Sequence, residues 1–425
     1  MGFEFLPTLL VLPVLLILWM LAQLKGLRYK TILNVAAIFL AAIYMFNLGK
    51  GIYTNLNNPP EWDFLTFWLD GQVAVKGQNF YDASNYKNVD LPYTPSEDFF
   101  KEIVDIGFRY PPFTMFLFLP LGYLDYYPAY LFWQILNAIF CLFSVYILWK
   151  LFLEKDGMSG LLFILAIFFM LRPTFSTFFF AQTNFVAFVL FLLYWWFKDK
   201  DWSGFFLALG FVVKPYLALI FLYPLFVRKW KQLFFAILSL VIAIAISGLF
   251  FSFDVVKNYL LGNSLGNMPA YVYSEPVNQS LLATILRSSF ANPGTTSLLS
   301  QPLYIGLSLL LALVTFIVGF RSYKKDEWVL LSILFFAFLV YPATLEHYGV
   351  FLIIPVLLLL QKLSRTTNEQ VGTSIIILIV YFLSGYKGGF YVFFANAFIW
   401  LICIYFELQP DLSRLLRRLP AFDKE

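Results

Sequence analysis

The chain has 425 residues, of which 61% are hydrophobic and 13% are charged, and its mean hydropathy is +0.77. This composition excludes an ordinary soluble domain and is typical of a polytopic integral membrane protein. The formal charge of +4 decides little by itself. Both cysteines, Cys141 and Cys403, lie inside apolar runs, which argues against a disulfide framework or a cysteine-bound metal.

Apolar runs recur along the chain and predict an all-α bundle of about thirteen transmembrane helices. The first run lacks a basic N-terminal region and an A-x-A-type cleavage site, so we interpret it as a retained span rather than a signal peptide. A further run at 113–124 predicts a juxtamembrane or re-entrant helix. The runs are 5–24, 31–48, 127–149, 158–171, 183–197, 203–213, 216–227, 232–252, 301–320, 328–342, 349–361, 371–385 and 388–408.

A polar stretch from Glu61 to Phe113 interrupts these runs and contains nine of the 25 acidic residues. Hydrocarbon cannot satisfy loose backbone groups, so the stretch must lie in water or line a protected cavity. It is therefore either an inert connector or the reaction face of a membrane enzyme. Its length alone does not decide between the two.

Asp63 is the candidate general base of this stretch, because it lies between two aromatic residues that would partly desolvate its carboxylate. The alternative is an N-cap for a helix that begins near Phe64. Asp70 and Asp82 are weaker candidates. On a helix, Asp70 would lie on the same face as Asp63, two turns away.

The distribution of Lys and Arg predicts the orientation. If the connector at 25–30 is cytoplasmic and the runs alternate, the cytoplasmic side holds 19 of the 29 basic residues. The loops 49–126 and 253–300 then lie outside the cytoplasm, and the basic tail 409–425 is cytoplasmic. The tail fits a topology anchor beside anionic lipid rather than a nucleic-acid-binding segment. We expect one multi-pass domain, 1–425, in the plasma or inner membrane.

The same topology places the unusual polar residues on or just beneath the non-cytoplasmic face. Ionisable groups near membrane depth are costly and usually face a cavity or a partner. Four span junctions carry most of them, in the sequences LRPT…AQTN, VVKPY, PVNQSLLATILR and TLEHYG. The residues are Asp63, Arg109, Arg172, Gln182, Asn184, Lys214, Asn278, Gln279, Arg287, Glu346 and His347.

Lys214 interrupts a long apolar stretch, and Pro215 ends the helical hydrogen bonding there, which could open a polar pocket. Snorkelling of the lysine to the membrane interface is the alternative. Arg172 stands in a similar position, immediately before Pro173. Lys and Arg that converge on one face suit a phosphate or pyrophosphate ligand.

His347 is the only histidine, and its place beside Glu346 in a short outer turn favours a role in the site over a purely structural one. A zinc site is disfavoured, because the chain has no second histidine and no paired cysteines. Neither a G-x-x-x-x-G-K-[ST] nor a G-x-G-x-x-G motif is present. An activated group would therefore have to come from a lipid carrier.

The order of several sequence pieces resembles the GT-C superfamily of polyprenyl-phosphate-sugar-dependent glycosyltransferases. Within it, the chain is most similar to glycosyltransferase family 87, which includes mannosyltransferases. The pieces are WDFLTFW, GQVAVKGQNFYD, RYPPFTMFLFLPLGYL, AQTNFVAFVL, ALGFVVKPYLALIFLYPLFVRKW, NQSLLATILR and EHYGVFLIIP. Together they cover most of the chain, although no single piece is specific.

The resemblance implies a GT-C-type bundle whose outer loop 49–126 carries the active site. It implies inverting transfer of a hexose, with mannose expected, from a polyprenyl-phosphate donor to a hydroxyl of a lipid or glycan acceptor. Some GT-C enzymes use a divalent metal, but the sequence shows no carboxylate cluster for one. The implied roles are Asp63 as general base; Lys214, His347, Arg172 and Arg109 as ligands of the donor phosphate; and Gln182, Asn184, Asn278 and Gln279 as hydrogen-bonding partners of sugar or phosphate.

The alternative function is a transporter or flippase of a lipid-linked sugar. Such a protein needs polar residues on both faces and often contains an internal repeat. In this sequence the polar residues favour one side, and no repeat is visible. A third possibility is a purely structural membrane scaffold. It would not explain why Arg172 and Lys214 carry positive charges within or beside apolar runs.

Overall fold

The computed structural model describes the backbone of residues 5–57, 63–261, 270–288, 301–321, 326–363, 367–385 and 391–416. Throughout these residues the regular structure is helical, apart from one isolated antiparallel bridge between Asn278 and Leu345. The predicted all-α fold is therefore confirmed. Parts of both predicted outer loops, and the end of the predicted basic tail, lie outside the described residues.

The described part of the chain is a succession of helices. In order they are α1 (Phe5–Lys25), α2 (Leu27–Asn57), α3 (Asp63–Val75), α4 (Glu97–Ile106), α5 (Met115–Phe118), α6 (Tyr126–Leu148), α7 (Gly157–Met170), α8 (Arg172–Phe179), α9 (Asn184–Trp196), α10 (Gly204–Val213), α11 (Leu222–Phe226), α12 (Trp230–Phe251), α13 (Phe253–Leu261), α14 (Ala270–Ser274), α15 (Leu281–Leu286), α16 (Pro302–Arg321), α17 (Asp326–Val340), α18 (Ile353–Leu363), α19 (Thr367–Gly385) and α20 (Tyr391–Leu416).

Within the described ranges, six helical segments are long and apolar enough to cross a membrane. They are Leu27–Asn57, Tyr126–Met170, Trp230–Phe251, Pro302–Arg321, Thr367–Gly385 and Tyr391–Leu408. The other apolar helices have 10–17 residues. A helix of 13 residues extends only about 20 Å, which is less than the thickness of the hydrocarbon core. The structure fits a multi-pass membrane protein, but the predicted count of about thirteen spans is not confirmed.

The centre of the bundle is formed by α7, α9, α17 and α18, whose apolar side chains are mostly buried in one continuous cluster. In contrast, α2, α12 and α16 expose large apolar side chains. Val35, Leu249 and Leu309 are 64%, 80% and 66% exposed. Exposed apolar faces of this extent fit contact with lipid rather than water.

The predicted outer loop is a packed unit rather than a loose connector. Helices α3 and α4 and the segment 112–123 share a second apolar cluster with α6. The helix predicted at 113–124 consists of three short turns, Pro112–Thr114, Met115–Phe118 and Leu119–Tyr123. Prolines in this segment remove backbone N–H donors, so a regular helix does not continue through it.

Two glycines bring α3 into backbone contact with this segment. A Cβ atom added at Gly122 would lie 2.2 Å from the carbonyl oxygen of Gly71, and one added at Gly71 would lie 2.6 Å from that of Phe118. Both distances are too short for any side chain. Because only glycine permits this approach, the pair determines how closely α3, which carries Asp63, lies against the bundle.

Candidate active site

A cleft of about 150 Å³, open at its mouth, lies between α3, α4 and the junctions that follow α8, α10 and α17. Aromatic rings form much of the lining. The charged side chains that line the cleft are Asp63, Asp70, Glu102, Arg109 and Lys214.

One chain of hydrogen bonds connects three of the predicted site residues. The Nε2 atom of Gln182 donates to Oδ2 of Asp63, and its Oε1 atom accepts from Nζ of Lys214 at 3.0 Å. All three side chains line the cleft. The amide therefore orients a carboxylate and a cation in one site while it separates the two charges.

Lys214 is held by aromatic groups as well as by Gln182. Its Nζ atom donates to the hydroxyl of Tyr110 at 3.2 Å, and it lies 5.2 Å and 5.0 Å from the ring centroids of Tyr110 and Tyr348. Cation–π contacts of this length are attractive and are stronger where water is excluded. Only 1% of Lys214 is exposed, so the side chain points into the protein and does not snorkel to the surface.

The local backbone explains the position of Lys214. Helix α10 ends at Val213, Lys214 has extended dihedral angles (φ −140°, ψ 104°), and a 3₁₀ segment follows at Pro215–Phe221. The helix break predicted from Pro215 is therefore present. The hydroxyl of Thr114 donates to the carbonyl oxygen of Val212 at 2.6 Å, which attaches this break to the segment 112–123.

A strained turn after α8 positions Gln182. Ala181 has φ 51°, a left-handed conformation that costs a residue with a Cβ atom about 1–2 kcal/mol. Two contacts hold it there: Gln182 N donates to Thr177 O at 2.9 Å, and Trp133 Nε1 donates to Ala181 O at 2.6 Å. An alanine gives no sequence signal for such a turn.

The environment of Asp63 suits proton transfer. Burial raises the pKa of its carboxyl, whereas the Gln182 hydrogen bond and the charge of Lys214 lower it. A carboxylate with a raised pKa is a stronger base. The alternative role, an N-cap, is not the arrangement seen: α3 begins at Asp63 itself, and in the described part of the chain its carboxylate accepts a hydrogen bond from Gln182.

Arg109 also lines the cleft, but its guanidinium is partly occupied by the preceding turn. Its Nη2 atom donates to Asp105 O at 3.1 Å and its Nε atom donates to Ile106 O. Burial lowers the pKa of Arg109. The side chain therefore adds a second cation to the lining of the cleft.

His347 is buried next to the cleft but does not line it. Its ring lies 5.1 Å from that of Tyr348 and 5.8 Å from that of Phe180. Neither ring nitrogen has a hydrogen-bond partner among the residues that the structure describes. A buried imidazole with both nitrogens unpaired is available to a ligand that reaches it.

Arg172 pairs with a carboxylate instead of facing the cleft. Its Nη2 atom lies 3.7 Å from Oε1 of Glu346, which also accepts a hydrogen bond from the hydroxyl of Ser176 at 3.0 Å. Helix α8 packs here against the 3₁₀ segment Glu346–Leu352. The pair therefore links the two segments that carry Gln182 and His347.

The remaining predicted amides bond to groups within the protein, and none of them lines the cleft. Asn184 donates to a threonine hydroxyl of α8 at 3.3 Å. Asn278 donates to Pro342 O at 2.8 Å, and Gln279 donates to Pro276 O at 2.7 Å. In this structure these side chains hold together the segments on which the site is built.

Several residues of the site were missed by sequence reasoning. Tyr110 and Tyr348 form the aromatic walls around Lys214, and the only sequence signal is their place next to Arg109 and His347. Glu102 comes from α4 and lines the cleft. Burial and the charge of Asp63 raise the pKa of Glu102.

Within the described ranges, no group of three or more His, Cys, Asp or Glu side chains is arranged to hold a metal ion. Of the acidic lining residues, Asp63 and Asp70 lie on α3 and Glu102 lies on α4. Both cysteines are buried and free.

The family model of glycosyltransferase family 87 matches residues 108–345, which is more than half of the chain. The matched region contains Arg109, Gln182 and Lys214, whereas Asp63 precedes it and His347 follows it. No curated protein and no solved structure matches the chain. The helical membrane fold agrees with the GT-C superfamily to which the sequence was compared. The chain therefore belongs to glycosyltransferase family 87.

Proposed function

We propose that the protein transfers a hexose, with mannose expected, from a polyprenyl-phosphate donor to an acceptor hydroxyl on the extracytoplasmic face of the membrane. Family membership favours a glycosyltransferase over a transporter or flippase. The observation that carries the proposal is the chain of hydrogen bonds Asp63–Gln182–Lys214, which joins a carboxylate and a lysine ammonium in one cleft. A displacement reaction at a phosphate-linked sugar needs both groups.

In the proposed reaction, Asp63 accepts the proton of the acceptor hydroxyl as its oxygen attacks the anomeric carbon. The bond between that carbon and the phosphate oxygen breaks, and polyprenyl phosphate leaves with the electron pair. Lys214 stabilises the negative charge on the departing phosphate. A single displacement inverts the configuration at the anomeric carbon.

An apolar groove of about 110 Å³ supports a lipid-linked donor. It lies between α10, α12 and α13, and its lining includes Phe211, Val212 and Tyr259. Val212 is two residues before Lys214, so the groove and the cationic end of the cleft share one junction. An isoprenoid chain is wholly apolar, and in this groove it would bring its phosphate towards Lys214.

The other predicted donor ligands remain part of the proposal. Arg109 lines the cleft, which supports a contact with a bound phosphate. His347 does not line it, but neither of its ring nitrogens has a partner among the described residues, so a phosphate that reached past the cleft wall would find a free imidazole. Arg172 would have to share its guanidinium with Glu346. The amides of Asn184, Asn278 and Gln279 would have to exchange their present partners for sugar or phosphate oxygens.

We further propose a GT-C-type bundle of about thirteen spans, with loop 49–126 outside the cytoplasm and the C terminus inside. The cell membrane as location, and one domain over 1–425, belong to the same proposal. The uneven distribution of basic residues supports it. Labelling of Asp90→Cys in intact cells by a membrane-impermeant maleimide would test the side, and protection of this exposed position would contradict it.

The activity is tested with the purified full-length protein in lipid nanodiscs, supplied with polyprenyl-phosphate mannose or polyprenyl-phosphate glucose. We expect acceptor-dependent release of polyprenyl phosphate. Asp63→Asn should abolish transfer while the protein stays folded, whereas Asp90→Asn, an exposed change of the same kind, should be fully active. Normal transfer by Asp63→Asn would reject the proposed base, and no turnover of either donor by the wild type would reject the donor class.

A further inference from the structure

Helix α3 presents more than one polar group to the cleft. Asp63, Thr66 and Asp70 all line it. At 3.6 residues per turn these positions share one face of the helix, and the α-carbons of Asp63 and Asp70 are about 10 Å apart along the axis. The cleft therefore extends from the proposed base along α3 to a second carboxyl group.

Asp70 is not satisfied by the protein alone. The residue is fully buried, and its Oδ1 atom accepts a hydrogen bond from the hydroxyl of Tyr86 at 2.5 Å. Its Oδ2 atom has no hydrogen-bond partner among the described residues. Buried polar atoms without a partner are rare and call for a water, an ion or a ligand group.

The polar groups of the cleft differ in the ligands that they suit. Lys214 and the adjacent tyrosines suit an anion, whereas the rest of the lining includes the Asp70 carboxyl, the Arg109 guanidinium and the rings of Phe99 and Phe108. Hydroxyl groups both donate and accept hydrogen bonds, so they can satisfy a carboxyl and a guanidinium in turn. Apolar rings around a few fixed polar groups are usual in small-molecule sites.

We infer that the Asp70 end of the cleft is the acceptor subsite, and that it binds a neutral sugar ring with one hydroxyl hydrogen-bonded to Oδ2 of Asp70. The inference rests on the proposed transfer reaction and adds the chemical class of the acceptor. A ring bound there places its far end towards Asp63, where a hydroxyl can lose its proton. Asp70 and Tyr86 precede the region matched by the family model, whereas Phe108 and Arg109 lie within it.

A purely structural role of Asp70 makes a different prediction. The Asp70–Tyr86 hydrogen bond also attaches the 3₁₀ segment Ala83–Asn88 to α3. If attachment were the only role, Tyr86→Phe would be the more harmful change, because it removes the hydrogen-bond donor, whereas Asp70→Asn keeps an oxygen that accepts from Tyr86. If Asp70 binds a sugar, Asp70→Asn should be the more harmful change, since Tyr86→Phe leaves the carboxyl group in place.

Binding is measured first, with the full chain in nanodiscs and soluble mannose and glucose disaccharides as probes. We expect the wild type to bind at least one disaccharide, Asp70→Asn to bind it about tenfold more weakly or worse, and Tyr86→Phe to stay within about threefold of the wild type. Asp90→Asn is the matched control and should bind normally. Absence of binding by the wild type, or an effect of Tyr86→Phe equal to or larger than that of Asp70→Asn, would overturn the subsite.

Transfer is measured second, with octyl mannoside, octyl glucoside and 1-octanol as acceptors. We expect the octyl glycosides to be preferred, and Asp70→Asn to raise their KM about tenfold with the donor KM unchanged. Donor turnover without any preference for a glycoside over 1-octanol would overturn the subsite and leave the proposed transfer standing. If the wild type binds a disaccharide through Asp70 but turns over no donor, the transfer reaction is rejected and the subsite stands.

Discussion

Lys214 donates a hydrogen bond to the side-chain carbonyl of Gln182 at 3.0 Å. The amide nitrogen of the same side chain donates to Asp63, so one neutral group is bonded to both a cation and a carboxylate. A direct ion pair would neutralise the base and the cation together. The intervening amide keeps the two charges apart and leaves each available to a substrate group.

Replacement of this amide should alter the pH dependence of the reaction. In Gln182→Met the hydrogen bond that lowers the pKa of Asp63 is lost, so the pKa of the carboxyl rises further. The base is then protonated over a wider range, and the acidic limb of the kcat/KM profile should move to higher pH. Gln72→Met is the matched control, because Gln72 is on α3 but does not line the cleft. An unchanged acidic limb in Gln182→Met would show that Asp63 is not the titrating base.

Loss of the Lys214 charge should affect the donor more than the acceptor. Lys214→Met keeps an apolar stem between the rings of Tyr110 and Tyr348 but cannot stabilise a departing phosphate. We expect kcat to fall by about 10²–10³, the range for loss of one group that stabilises transition-state charge. Binding of the product, polyprenyl phosphate, should weaken as well, while the acceptor KM stays the same. Lys87→Met changes an exposed lysine of the segment Ala83–Asn88 and is the control. If Lys214→Met weakened the use of donor and acceptor equally, that result would contradict a contact between Lys214 and the phosphate.

A double-mutant cycle can measure the interaction between Arg172 and Glu346. Both side chains are largely shielded, with 26% and 13% of their surfaces exposed, so removal of either should lower the free energy of unfolding by about 1–2 kcal/mol. The double variant Arg172→Met/Glu346→Gln should lose less free energy of unfolding than the two single variants lose in sum, because each single change already removes the same interaction. Thermal unfolding in nanodiscs measures this coupling.

The same cycle separates a structural arginine from a phosphate ligand. The donor KM is determined for Arg172→Met in the Glu346→Gln background. An increase there would show a contact between Arg172 and the donor that does not depend on the ion pair. If Glu346→Gln alone raises the donor KM and Arg172→Met adds no further increase in that background, Arg172 acts by positioning the segment that carries His347.

Glu275 should make the stability of the protein depend on pH. Burial, together with the charges of Glu102 and Asp63, raises its pKa from the ordinary value near 4.5 to about 7. The folded state therefore binds this proton more tightly than the unfolded state does. Its contribution to stability is complete below about pH 4.5 and is lost as the pH rises through 7.

Melting temperatures of the purified protein between pH 4.5 and 8 test this expectation. We expect the wild type to lose stability over that range more steeply than Glu275→Gln, which has no proton to lose. Glu97→Gln changes an exposed glutamate of α4 and should keep the slope of the wild type. Identical slopes for the wild type and Glu275→Gln would mean that Glu275 titrates in the folded protein as it does in water.

Much of the organisation was predictable, because the relevant signals are local. Most apolar runs correspond to helices, and the break predicted at Pro215 places Lys214 in extended backbone between α10 and the next 3₁₀ segment. A lysine inside an apolar run is costly enough to stand out without any structure. Asp63, which lies between two aromatic residues, also stands out in the sequence without any structure. The number of spans was less predictable, since a run of 10–15 apolar residues does not reveal whether its helix crosses the bilayer.

The sequence by itself determined the membrane class, the helical content and a set of polar residues that need partners, because composition and periodicity report how each residue prefers to be solvated. Only the tertiary structure decided which of these residues meet. It brings Asp63, Gln182 and Lys214 to one cleft, pairs Arg172 with Glu346, and leaves one oxygen of Asp70 without a partner among the described residues. The reason is that contacts between distant parts of the chain depend on how the helices pack and cross, and close packing of side chains over the whole bundle sets that geometry.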